Sequence, residues 1–271
     1  MCEFCIKHGE GKKWYEVSQN YSKELMNQGN REEFTKQFFL DSGRNIASMY
    51  GRADRAKIRM PSAYRLIRMI GTSWLKKYHF GQVLPLEDAE MTVDLAQCIT
   101  RIPCMCRAAT RGRRNARYCL LYNFDPIKIL GDFSEVRASL EVLTPLRAKE
   151  LLREFDQEGL VHSIWTFKTP FIGGICNCDQ DCMAYKVQVA TDLVQIMFKA
   201  EYVAEIDQVQ CVGCRGCLKF CQFGAVQYSA LNNKCSVNPL KCYGCGVCRR
   251  ACQKDAVTLI DRARIPGEGV W

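Results

Sequence analysis

Two stretches near the C-terminus repeat one cysteine spacing, Cys211-x2-Cys214-x2-Cys217-x3-Cys221 and Cys242-x2-Cys245-x2-Cys248-x3-Cys252. Thiolates are soft ligands for iron and zinc, and this run is the ligand spacing of a 4Fe-4S cluster. Where two such runs occur together, the fourth cysteine of each serves the other cluster. That crossing predicts one quartet of Cys211, Cys214, Cys217 and Cys252, and a second of Cys242, Cys245, Cys248 and Cys221. The chemistry would be uptake and release of single electrons at low potential. Zinc fits less well, because its sites favour paired C-x2-C units. Gly213, Gly216, Gly244 and Gly246 lie between the ligands, where the backbone must turn tightly and aim amides at sulfur. Proline usually follows the last cysteine of such a run. Here Gln222 and Gln253 stand in its place and keep their N–H groups.

Ten cysteines lie outside the runs: Cys2-x2-Cys5 with His8 close by, Cys98, Cys104-x-Cys106, Cys119, Cys176-x-Cys178-x3-Cys182, and Cys235. Cys104, Cys106, Cys119, Cys176, Cys178 and Cys182 are more than the four thiols that one cubane needs. With Cys2 and Cys5 the number equals that of two further cubanes. One or two additional 4Fe-4S clusters are therefore expected in the N-terminal part. The competing readings are a zinc site using Cys2, Cys5 and His8, and plain buried thiols. Cys98 and Cys235 lack partners nearby in sequence and are expected to be structural. A c-type haem site is excluded by the lack of C-x-x-C-H, and the C-x3-C-x2-C of radical S-adenosylmethionine enzymes is missing too.

The elements that must position these thiols are partly legible. Residues 13–40 read helical, with Trp14, Tyr15, Leu25, Met26, Phe34, Phe38 and Phe39 as buried positions and a break near Gly29. A basic stretch follows, with Arg44, Arg52, Arg55, Lys57 and Arg59. A helix is predicted from Ser62 towards His79, with Leu66, Ile67, Ile70, Trp74, Leu75 and Tyr78 at near-helical spacing. Another starts at Pro85 and ends before Cys98. Thr144 is a natural N-cap, Pro145 fits the first helical position, and Gly159 sits where the chain leaves the helix. Leu160–Phe167 reads as a strand, residues 183–199 as a helix, and Tyr202–Ile206 as a strand leading into the repeats. Ala225–Ser229 and Ala256–Ile260 are short strands after each run. Trp14, Trp74 and Trp165 are expected in the core, while His8, His79 and His162 carry little signal singly.

With 271 residues, 48% of them hydrophobic, the chain has enough apolar content for one or two packed domains. No apolar run is long enough to span a membrane, and no signal peptide is evident. Eighteen cysteines without an export signal indicate metal ligation in a reducing cytoplasm rather than disulfides. The formal charge of +9 counts every cysteine as neutral. An oxidised cubane with its four thiolates adds about −2, so two would bring the protein to about +5 and four to about +1. No nucleic-acid partner is expected on this ground. Arg107, Arg111, Arg113, Arg114 and Arg117 follow one another without an intervening carboxylate. They read either as a solvated loop or as a loop that tunes a cluster or docks an acidic partner.

The doubled run is that of a bacterial-type ferredoxin. Residues beyond it extend the likeness: Cys2-Glu3-Phe4-Cys5 with His8-Gly9-Glu10-Gly11-Lys12-Lys13-Trp14-Tyr15, Ile102-Pro103-Cys104-Met105-Cys106-Arg107, Cys119-Leu120, Gly159-Leu160-Val161-His162 and Ile175-Cys176-Asn177-Cys178. Over nearly its whole length the chain resembles multi-cluster 4Fe-4S dicluster-domain proteins of anaerobic bacteria and archaea. Some relatives are more cysteine-rich around Cys178, where this chain has Asp179, Gln180 and Asp181. The resemblance implies electron transfer in anaerobic redox metabolism and names no substrate. The expected architecture is α+β: a mainly helical, cysteine-rich domain over residues 1–200, a two-cluster ferredoxin domain over 201–262, and a tail over 263–271. No dinucleotide fingerprint, P-loop or Ser/His/Asp arrangement is present, so catalysis is expected from a partner, a flavoprotein or another oxidoreductase subunit. The alternatives are an iron–sulfur enzyme with an open iron site in the N-terminal cluster, and a cluster-based redox regulator.

Overall fold

The computed structural model describes residues 1–130 and 139–265. Within the basic stretch, the side chains of Arg44 and Arg52 lie outside the described residues, as do residues 266–271 of the expected tail. After helix α1 (Glu3–His8), two 3-10 turns and α2 (Lys23–Asn27), Gly29 adopts a left-handed conformation that redirects the chain into α3 (Arg31–Arg59). The expected break at Gly29 is thus present, and the basic stretch continues α3 rather than leaving it. Helix α4 (Pro61–Tyr78) follows, with Pro61 in its first turn, where a missing N–H costs nothing.

A mixed sheet that composition and periodicity did not reveal runs through the helical N-terminal part. Its strands are β1 (Gly81–Leu84), β2 (Ile99–Ile102), β3 (Cys119–Tyr122), β4 (Glu141–Leu143), β5 (Val161–Thr166), β6 (Ile172–Cys178) and β7 (Met197–Phe198), in the order β4-β2-β3-β6-β5-β1-β7. All pairs are antiparallel except β1 with β7. Most of these strands are four residues or shorter, too short to show a period of two, and β1 and β5 are buried at every position. The connecting helices are α5 (Leu86–Leu95), α6 (Met105–Arg111), α7 (Pro126–Leu130) and α8 (Pro145–Gln157). The Thr144 hydroxyl accepts from the Arg147 N–H at 3.2 Å, so the expected cap is formed.

Two expectations are corrected. Residues 183–199 do not form one helix. A π-helical turn (Tyr185–Ala190) gives way to extended chain and then β7, because the Gln188 side chain takes up the Ile196 and Met197 amides, at 2.7 and 2.9 Å, and holds the segment folded back. Trp74 is half exposed rather than core, and Leu66, Ile67 and Ile70 face solvent with it, whereas Tyr64 is buried. Trp14 and Trp165 are buried as expected. His79 is half-buried. Its Nδ1 lies 2.8 Å from the Thr166 carbonyl, and burial pushes its pKa down to about 4, so the ring is neutral.

Residues 202–261 repeat one small unit. Strand β8 (Tyr202–Ile206), helix α9 (Gly216–Phe220) and β9 (Val226–Ser229) are followed by β10 (Lys234–Val237), α10 (Val247–Arg250) and β11 (Val257–Asp261). The outer strands β8 and β11 pair, as do β9 and β10, both antiparallel. The unit has its own core of Val203, Ala204, Val226, Ala256 and Val257 among its cysteines. It is also packed onto the sheet. Val247 shares an apolar cluster with Val83, Val161, Trp165 and Cys182, and the Gln222 amide donates to the Gly159 carbonyl at 2.8 Å.

Gly159 is where this packing is tightest. Its φ is +81°, and a β-carbon there would lie 2.8 Å from the Phe220 ring. Gly224 has a similar φ of +63° but open space around it. Gly159→Ala is expected to cost about 1–2 kcal/mol for the left-handed backbone, plus displacement of Phe220. Anaerobic denaturant unfolding of both variants checks this: equal losses for Gly159→Ala and Gly224→Ala would rule out a steric contact across the junction.

Candidate metal centres

The cysteines gather in four places. The first two lie in the C-terminal repeats. Cys242, Cys245, Cys248 and Cys221 line one pocket with Ala204, Phe220, Phe223, Tyr243 and Val247. Cys211, Cys214, Cys217 and Cys252 line a second with Ile206, Val212, Arg215 and Val257. Each pocket therefore contains three cysteines of one run and the last cysteine of the other. The crossing follows from the pairing of β8 with β11 and β9 with β10, which lays the end of each repeat beside the start of the other.

Main-chain amides point at these sulfurs. Cys242 Sγ accepts from Ala204 N and Gly244 N, each at 3.4 Å; Cys221 Sγ accepts from Ala225 N at 3.2 Å; Cys211 Sγ accepts from Cys235 N at 3.4 Å. Such bonds favour the charged form of a thiol. The turns that deliver them need glycine. Gly213 and Gly244 have φ of +69° and +70°, and a β-carbon would lie 2.2 Å from the Asn233 carbonyl or 2.1 Å from that of Tyr202. Burial pushes Cys217 and Cys248 up to about 12. Burial also raises Cys211, but the amides of Cys235 and Gly213 with the Lys234 ammonium outweigh it, and Cys211 falls below its ordinary value. A bound cation would remove the protons that burial otherwise retains.

Cys235 corrects an expectation. Although it has no cysteine near it in sequence, strand β10 carries it into the pocket of Cys211, Cys214, Cys217 and Cys252. Register pairs Cys235 with Tyr228, and its amide bonds to Cys211. Cys98 stays apart from the other cysteines. It is exposed, and its thiol reaches the Phe124 carbonyl at 3.7 Å.

The third place unites Cys104, Cys106, Cys119, Cys176, Cys178 and Cys182. Strand pairing does most of the work. Cys119 opens β3 directly opposite Cys176 of β6, and Cys178 follows two residues later on the same face. Cys104 caps α6, Cys106 lies in its first turn, and Cys182 is in the loop after β6. Cys104 and Cys119 sulfurs are 3.5 Å apart, and those of Cys119 and Cys176 are 3.8 Å apart. Cys178 bridges Cys176 and Cys182, and Cys182 meets Cys106, so the contacts run unbroken through six thiols. Its contacts with Cys119 and Cys178 lower the Cys176 thiol to about 6. Cys182 is lowered by its contacts with Cys106 and Cys178, while Cys104 is raised by its contact with Cys119 and by burial.

Arg107 forms one wall of this pocket. Its guanidinium lies 3.8 Å from Cys104 Sγ, stacks 4.3 Å from the centre of the Tyr118 ring, and pairs with Asp179 at 3.0 Å. Arg111 pairs with Asp181 at 2.6 Å, and Arg117 with Glu141 at 3.3 Å. The carboxylates lacking from the arginine loop are thus supplied from elsewhere, two of them by the Asp179–Asp181 loop. On the opposite face of the sheet, Asn177 contacts His162 Nδ1 at 2.6 Å.

Cys2 and Cys5 do not join the six. They are a fourth, separate place, in a core cluster with Phe4, Trp14, Phe80 and Phe198. Their sulfurs are 3.4 Å apart, and Cys5 Sγ lies 3.1 Å from Glu201 Oε1. Glu201 was not foreseen, since nothing in sequence links a residue before β8 with the first five. His8, expected nearby, packs edge-on against Phe4 instead.

The chain matches no protein-family model and no curated protein. Among the described residues no helix is long and apolar enough to cross a membrane.

The four places differ in access. Anaerobic treatment of the native protein with iodoacetamide is expected to modify Cys98 ahead of the six pocket thiols and Cys235. Mass spectrometry of the digest checks this, and modification of Cys119 or Cys176 at the rate of Cys98 would contradict the enclosed pocket.

Proposed function

We propose that this chain is an iron–sulfur electron-transfer protein. Residues 201–262 act as a two-cluster ferredoxin unit, and the six-thiol pocket holds at least one further 4Fe-4S cluster. The observation that carries the proposal is the crossing of the two runs into separate four-cysteine pockets, each with amides directed at sulfur. Cys211, Cys214, Cys217 and Cys252 would hold one cluster, and Cys242, Cys245, Cys248 and Cys221 the other. Four of Cys104, Cys106, Cys119, Cys176, Cys178 and Cys182 would hold the third. A bound 4Fe-4S cluster supplies single-electron exchange at low potential.

The chain's own residues support that use. Phe220, Phe223, Tyr243 and Val247 line the Cys242 pocket with apolar surface. The stacked rings of Phe223 and Tyr243, 4.1 Å apart, and the neighbouring Tyr185 ring fill the space towards Cys178 and Cys182. Tyr185 donates to the Gln222 carbonyl at 2.7 Å, and Gln188 to the Tyr243 hydroxyl at 2.8 Å, so this bridge is fixed at both ends. A hydrogen-bonded aromatic bridge between two sulfur pockets suits transfer within one molecule. In this reading the chain is the electron-carrying subunit of a larger anaerobic, cytoplasmic oxidoreductase, and a flavoprotein or other redox subunit supplies catalysis.

Anaerobic iron and acid-labile sulfide analysis tests this. About twelve of each per chain are expected for three cubanes, and about eight for the C-terminal pair alone. Cys214→Ser should lower iron by about four while Cys98→Ser leaves it unchanged, and Cys176→Ser should deplete the N-terminal pocket alone. Iron well below eight, with zinc in several sites, would overturn the proposal.

A further inference from the structure

Cys2, Cys5 and Glu201 are 1%, 1% and 5% exposed, and their ligand atoms all lie within 4.8 Å of one another. Among the described residues, no other three His, Cys, Asp or Glu ligand atoms converge so closely. That compactness separates this place from the others. A single tetrahedral ion with Zn–S near 2.3 Å and Zn–O near 2.0–2.2 Å brings its ligand atoms to roughly 3.3–3.8 Å of each other. The Cys2–Cys5 distance of 3.4 Å and the Cys5–Glu201 distance of 3.1 Å fall close to those edges. A cubane needs its four sulfurs spread around a larger body, and the six-thiol pocket strings its sulfurs out in that way.

The surroundings are those of a ligand set held in place. Gln82 Nε2 donates to Glu201 Oε1 at 3.2 Å and to the Lys199 carbonyl at 3.0 Å. The Cys2 amide donates to the same Glu201 oxygen at 3.0 Å. Gln82 is itself fixed by the Trp14 indole N–H at 2.5 Å. Hydrogen-bonded partners that orient a ligating carboxylate are the usual second layer of a metal site. Phe4, Phe80, Phe198 and Trp14 surround the pocket with packed rings whose centres are 4.6–5.4 Å apart. Glu201 Oε2 has the half-exposed Met1 ammonium at 3.8 Å, while Oε1 faces the two thiols, where a cation could replace their protons.

We infer that Cys2, Cys5 and Glu201 bind one divalent zinc ion that clamps the start of α1 to the strand opening the cysteine repeats. Two thiolates select a borderline-soft cation such as Zn2+ over magnesium or calcium, and three protein ligands leave one corner for a small ligand such as water. The ion joins residues 2 and 5 to residue 201, closing a long loop, and so ties the sheet to the C-terminal unit near Gln82 of β1. The clamp does not depend on the electron-transfer proposal.

The experiment is metal analysis of the anaerobically purified full chain, with zinc K-edge absorption of the same sample. One zinc per chain is expected, with a shell of two sulfurs near 2.3 Å and oxygen scatterers near 2.0–2.2 Å. Glu201→Gln and Cys5→Ala should each lose that zinc while iron and sulfide stay at the wild-type level, and should lower the unfolding temperature. A four-sulfur shell, a Cys2–Cys5 disulfide, or iron in place of zinc would overturn the inference. So would loss of iron together with zinc in both variants, which would move Cys2 and Cys5 to a cluster. Because the absorption spectrum is read on the wild type, a variant that fails to fold leaves the inference testable. Failure of the ferredoxin reading shows instead as low iron with the zinc shell unchanged.

Discussion

Sulfur must meet sulfur in this molecule, and most of the fold answers that demand. A buried thiol packs as a small hydrophobe but ionises poorly, so a pocket of thiols becomes a ligand set only when a cation replaces the protons. The chain accepts this at three multi-thiol pockets and at one pair. In each, the thiols arrive on elements whose positions are set by something else. Cys119 and Cys176 face each other because β3 and β6 pair. Cys221 and Cys252 exchange pockets because β8 pairs with β11 and β9 with β10. Glu201 reaches Cys5 because Arg262, fully buried, anchors the chain around it through the Ala200 and Tyr202 carbonyls and donates to that of Cys242 at 3.0 Å.

The junction between the sheet and the C-terminal repeats shows how the pockets are coupled. A flexible linker would leave the two parts free to separate, yet here polar bonds and aromatic stacking both cross the junction. Gln222, in the position where proline is usual, is central to it. Its side chain holds Gly159 and its carbonyl holds Tyr185. Proline could accept from Tyr185 but has no side-chain donor for the Gly159 carbonyl. The departure from the common motif therefore has a structural use: it fastens the turn after α8 to the rim of the Cys242 pocket.

Legibility followed sequence distance. The two C-terminal quartets could be read because their spacing encodes the turn and the pseudo-symmetry encodes the crossing. The cap at Thr144, the turn at Gly159 and strand β5 could be read because each has a local residue signature. The sheet could not, since β1, β2 and β3 are four residues long and their partners are supplied from far along the chain. The helix expected over residues 183–199 failed because one side chain, Gln188, outcompetes helical bonding for two amides. Cys235 and Glu201 were missed for a common reason. Each is a single residue with no motif around it, brought to its sulfur partners by strand pairing or by a long-range packing contact.

The positive charge gains its meaning from the same geometry. Read along the chain, five arginines between residues 107 and 117 form a basic patch open to an acidic partner. In space, Asp179 neutralises Arg107, Asp181 neutralises Arg111, and Glu141 neutralises Arg117. Arg107 is 2% exposed and lies against Cys104 and Tyr118, so it serves the pocket rather than the surface. Its fixed positive charge favours the anionic form of the sulfurs around it. Asp179 acts through this arginine: it offsets the cost of burying it and orients it on the thiols.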